Sequence, residues 1–111
     1  MMRPALMRPF ALTTASLLVV TGTVAIAETD AERAARCAGQ AQIVAQAVDL
    51  RAGGTDEAGT TSRLEASDSG IDPKYAPSVS VLVGWIYTLP PEQMTAEVAT
   101  AFETQCLGYK P

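Results

Sequence analysis

The residues that carry most enzyme chemistry are scarce in this chain. It contains no histidine, which removes the usual general base near neutral pH, the commonest transition-metal ligand and most nucleophile-activating dyads. Cys37 and Cys106 are its two cysteines. Neither sits in a Cys-x-x-Cys pair or beside a histidine, the settings that activate a thiol. Gly53, Gly54, Gly59, Gly70, Gly84 and Gly108 match neither the dinucleotide nor the Walker spacing for cradling phosphate. The run Asp68-Ser69-Gly70-Ile71-Asp72 resembles the opening of a calcium loop but lacks its remaining ligands and closing glutamate. Acids in such a turn cap helix ends, and Asp56-Glu57 reads the same way. These residues point away from an enzyme and to no cofactor or metal. Tyr75, Trp85 and Tyr87 are the one candidate protein-binding surface, since Trp and Tyr dominate interface hot spots. The competing reading makes all three ordinary core filling.

The compartment follows from the start of the chain. MMRPALMRPF carries Arg3 and Arg8 and no acid, and ALTTASLLVVTGTVAIA after it is mostly apolar and ends in Ala25-Ile26-Ala27. A basic start, an apolar middle and small residues at the end form a secretory signal peptide. The expected cut follows Ala27. A retained anchor fits less well, because Thr13, Thr14, Ser16, Thr21 and Thr23 interrupt a stretch that would have to be predominantly apolar to span. The chain then divides into a signal peptide, 1–27, and a domain, 28–111, of 84 residues, destined for the periplasm or the exterior with no stable membrane insertion after cleavage.

Without Arg3 and Arg8, six bases face twelve acids, a net charge of −6. An acidic surface with no Lys/Arg cluster argues against nucleic acid and against anionic membranes. So small a domain buries only a modest core. An oxidising compartment favours pairing Cys37 with Cys106. Closing that loop of about 70 residues adds roughly 4 kcal/mol by the loop-entropy argument.

The elements that must position these residues read as helices. Thr29 with Glu32 has capping-box spacing, and Cys37, Ala41, Val44 and Val48 form an apolar stripe behind it. Gly53-Gly54 supplies a left-handed terminator. Thr55 reads as the N-cap of a short, weakly held second helix whose one large apolar residue is Leu64. Asp72 caps whatever starts at Pro73. Residues 77–89 alternate valines as a strand does, yet Tyr75, Val79, Leu82, Ile86 and Leu89 keep helical spacing and no second strand is there to pair. A helix from Pro77 to Leu89 is expected. A last helix begins at Pro91 and carries Met94, Val98, Phe102 and Cys106 in steps of four until Gly108. Short connections make neighbours antiparallel, so this last helix should run back along the third and bring Cys106 to Cys37. The expected fold is all-α: a three- or four-helix up-down bundle closed by one largely buried disulfide.

In size, export signal, helical content and a single long-range disulfide, the chain resembles small periplasmic helical proteins, among them the acid-activated chaperones of the HdeA type. The resemblance is one of architecture, with no shared motif, and architecture does not fix function. The leading expectation is a non-enzymatic periplasmic protein-interaction module whose partner is another periplasmic protein. The alternative is an acid- or stress-activated periplasmic chaperone of HdeA-like architecture. Protonating its twelve acids moves the charge from −6 toward about +6, and self-repulsion loosens a small bundle.

Overall fold

The computed structural model describes residues 27–109. Apart from Ala27, the expected signal peptide lies outside the described residues, as do Lys110 and Pro111. Among the described residues there are four α-helices and no strand.

Helix α1, Asp30–Ala52, starts as its capping residues require: Thr29 Oγ1 accepts from the Glu32 N–H at 3.0 Å. The reciprocal half of the box differs, because the Glu32 carboxylate accepts from the Thr29 hydroxyl and not from its backbone N–H. At the other end Gly53 keeps a helical φ of −79° and Gly54 is the left-handed residue, φ +94°. The Gly54 N–H donates to Arg51 O and the Thr55 N–H to Leu50 O, the paired bonds of a Schellman motif. Cys37, Ala41, Val44 and Val48 are buried as the stripe requires, and Ile43 and Ala47 join them. The broader apolar face arises because α1 packs against all three other helices.

Helix α2, Glu57–Glu65, is capped by Asp56 and not by Thr55: Asp56 Oδ1 accepts from the Gly59 N–H at 2.7 Å. Thr55 instead gives its carbonyl to the Tyr87 hydroxyl. Leu64 is buried, and so is Thr60, one helical turn earlier. Two inward residues on one face seat α2 better than its composition suggests.

The loop that follows is pinned to α1 by Gln46 Nε2, which donates to Ser69 O at 3.2 Å. Asp72 Oδ1 then accepts from the Lys74 N–H at 3.0 Å, capping a 3-10 turn, Pro73–Tyr75, that leads into α3, Ala76–Thr88. Helix, not strand, is thus the state of the valine-rich segment.

The last helix departs most from expectation. Pro91–Gln93 forms a separate 3-10 turn, and α4 spans Glu97–Gly108. Met94 falls between them with φ −75° and ψ 69°, and the Thr95 N–H donates to Gln93 O across it. That is an inverse γ-turn, and it takes Met94 off the helix. Its sulfur reaches back to α1, 3.7 Å from Arg51 Nη1.

Directions follow from the cross-links. Gln40, midway along α1, meets Ser78 near the start of α3, and Arg51 meets Ile86 and Leu89 at the ends of the two helices, so they run together. Helix α2 runs against both, with Thr60 beside Tyr87 and Ser69 beside Gln46. Helix α4 also reverses, bringing Cys106 to Cys37. The bundle is up-down-up-down, but α4 lies chiefly along α1 and only lightly along α3. The buried core cluster comes from α1 (Ile43, Val44, Ala47, Val48), α2 (Leu64) and α3 (Val79, Val83, Ile86). Helix α4 adds no fully buried residue.

Candidate functional site

The disulfide Cys37–Cys106 joins Cα atoms 5.6 Å apart and uses both cysteines of the chain. It is less enclosed than expected. Cys37 is fully buried, whereas Cys106 is half-buried because the inner face of α4 is only partly covered. Arg36 borders it, with Nη1 at 3.5 Å from Cys106 Sγ and Nε at 3.1 Å from Glu28 Oε1.

Two of the carboxylates singled out in the sequence, Asp56 and Asp72, act as structural caps, each holding a backbone N–H. Among the described residues no three carboxylate, cysteine or histidine side chains gather as metal ligands would.

The three candidate aromatics do not form one surface. Tyr75, at the start of α3, lies against α1, where its hydroxyl donates to Ala35 O at 3.1 Å. Its ring lies over Gly39, so closely that a Cβ there would overlap the ring edge at Cε2, Cδ2 and Cζ. Tyr87 faces α2, bonded through its hydroxyl to Thr60 Oγ1 at 2.7 Å and to Thr55 O. The guanidinium of Arg51 lies 5.3 Å from its ring centroid, within cation–π range. Both tyrosines are spent on packing.

Trp85 is different. It faces α4, with its ring centroid 5.9 Å from that of Phe102, and stays 39% exposed. Because α4 leans on α1, the two rings leave a groove of about 290 Å³ between α3 and α4. Trp85, Leu89, Val98, Ala101 and Phe102 line it, with Gln93 and Gln105 at its ends. Sequence reasoning missed Leu89, Val98, Ala101 and Phe102 as surface residues. Their spacing marks an apolar face, and spacing alone cannot say whether that face is covered.

A larger depression, about 510 Å³, lies where α1 meets the end of α2 and carries Arg63 together with Asp49 and Asp68. Its exposed charges of both signs are those of an ordinary hydrated surface. The Trp85 groove is the better candidate, since apolar side chains left in water have a cost that a partner would remove. Its volume falls just below the range of small-molecule sites, roughly 300–1,000 Å³, and suits one or two large side chains. Comparison with protein-family models, curated proteins and solved structures found no match to the chain.

Proposed function

We propose that the chain is exported, loses residues 1–27, and serves in the periplasm or outside the cell as a non-enzymatic protein-interaction module. An apolar segment of a partner protein occupies the groove between α3 and α4. The observation that carries this reading is Trp85, 39% exposed over a groove whose other walls are Leu89, Val98, Ala101 and Phe102. Indole surfaces of this kind anchor protein interfaces. Export is supported by the Cys37–Cys106 bond, which persists in oxidising compartments. It is also supported by the exposed, non-helical Ala27, where a cut severs no helix. No helix among the described residues is long and apolar enough to cross a membrane.

Photo-crosslinking tests the reading. A photoreactive side chain at position 101, in the groove, should trap one defined protein in the exporting cell, and the same group at position 62, on exposed α2, should not. Ala101→Arg fills the groove and, four residues after Glu97, leaves the helix supported by an i,i+4 pair. With the photoreactive group moved to position 93, at the end of the groove, that variant should lose the adduct. Equal labelling at positions 101 and 62 would overturn the reading.

The acid-activated chaperone stands second, favoured by α4, which contributes no fully buried residue and meets the core only through half-buried side chains such as Val98 and Phe102. Near-UV circular dichroism and Trp85 fluorescence from pH 7 to pH 2, beside a client-aggregation assay, separate the two. Loss of packing with suppressed aggregation favours the chaperone. A native signal throughout removes it.

A further inference from the structure

The Trp85 groove does not end at its apolar walls. Toward the start of α4 it continues into a depression of about 320 Å³ that shares Gln93, Val98 and Ala101 and is rimmed by Glu92 and Glu97. Both glutamates are exposed, and neither enters an ion pair among the described residues. No lysine or arginine lines either depression. The trough therefore has an apolar floor and one acidic end. Along α4 its lining runs from Glu97 to Gln105, about 12 Å at 1.5 Å per residue, and Glu92 and Gln93 carry it beyond the start of the helix.

We infer that the occupant of this trough is an amphipathic helix of a partner protein, about three turns long, with Lys or Arg at the end that meets Glu92 and Glu97. This rests on the groove being a protein-binding site and adds the chemistry of what binds. The apolar face of the helix inserts one large side chain against Trp85 and Phe102, in the manner of helix-in-groove recognition. Its basic end meets the glutamates, which set orientation and discriminate against acidic partners more than they add affinity. A second copy of this chain fits less well, because two mature copies each carry −6 and the acidic rims would have to approach one another.

The probe is a synthetic helical peptide of about twelve residues with leucines at i, i+3, i+4 and i+7 and lysines at one end, compared with the same peptide carrying glutamates there. Trp85 is the chain's one tryptophan, so its emission reports the groove directly. The lysine peptide should shift that emission and bind roughly three- to ten-fold more tightly at low salt, the range expected of two exposed ion pairs. The preference should shrink as salt is added and invert in the Glu92→Lys/Glu97→Lys variant, and Ala101→Arg should abolish binding of both peptides. Equal binding of both, blocked by Ala101→Arg but indifferent to the charge reversal, would sink the basic-helix inference and leave the groove as a protein site. No emission shift with either peptide would sink both. A peptide-free dimer in sedimentation that Ala101→Arg dissolves would make a second copy the occupant, and an emission shift with neutral phosphatidylcholine vesicles but no peptide would make it a lipid surface.

Discussion

Arg51 does more for this fold than its place in the last turn of α1 suggests. Its Nη1 donates to Leu89 O at 2.7 Å and to Ile86 O at 2.6 Å, a carbonyl at the end of α3 that otherwise accepts only the Leu89 N–H at 3.2 Å. Charge-assisted bonds of this kind contribute about 1.5–3 kcal/mol. Arg51→Ala should therefore lower stability by about 2–3 kcal/mol, read from the urea midpoint, and an unchanged midpoint would show that water replaces the guanidinium. The Thr60–Tyr87 pair makes a second prediction. Tyr87→Phe removes the partner of a hydroxyl with no solvent exposure and should cost about 1–3 kcal/mol. Adding Thr60→Val should recover part of that loss, because both polar partners are then gone. Gly39→Ala sets two effects against each other: helix propensity gains about 1 kcal/mol, while the new methyl overlaps the edge of the Tyr75 ring and overpacking costs about 1–3 kcal/mol. A net loss is expected, and stabilisation would mean the ring swings aside. None of these three pairings was legible in the sequence. Arg51, Thr60 and Gly39 each meet a residue at least 27 positions away, and spacing rules speak only of near neighbours.

Helices α1 to α3 and helix α4 are held by different means. The first three share the buried cluster around Val44, Leu64 and Val83, whereas α4 rests half-buried on α1 and is tied by Cys106. Amide hydrogen exchange in the native, oxidised protein should show the difference. Residues 97–102 of α4 should exchange well before the middle of α1, and protection should rise toward Cys106, because local opening follows the scarcity of buried contacts. Uniform protection across all four helices would contradict this division. The helices themselves were largely readable in advance. Thr29, Asp72 and the Gly53-Gly54 pair mark true boundaries, and the stripe through Val79 and Ile86 outweighed the β-branched content of α3. The misses were local: Asp56 caps where Thr55 was expected to, and the inverse γ-turn at Met94 delays α4 to Glu97. The turn at Met94 puts its sulfur against Arg51, a contact that no window along the chain contains.

At the scale of the whole molecule, the Cys37–Cys106 bond spans 69 residues and clasps the first helix to the last. A loop of that length implies about 4 kcal/mol of stabilisation through the unfolded state, a large share of the roughly 5–15 kcal/mol typical of a domain. The Cys37→Ser/Cys106→Ser variant should lose about that amount in urea titration, and α4 should lose its exchange protection before the other helices do. An equal loss across all helices would instead mean that α4 and the core open as one unit. The sequence by itself determined the helical class, the pairing of the only two cysteines and the approximate span of the first three helices, because caps, breakers and apolar periodicity act over a few residues. It also determined the scarcity of conventional catalytic groups, since a chain without histidine lacks that chemistry however it folds. Only the tertiary structure decided which apolar stripe stays in water. The faces of α3 and α4 look alike along the chain, but α4 leans on α1, so Val83 is sealed while Trp85, Val98 and Phe102 are left lining an open groove.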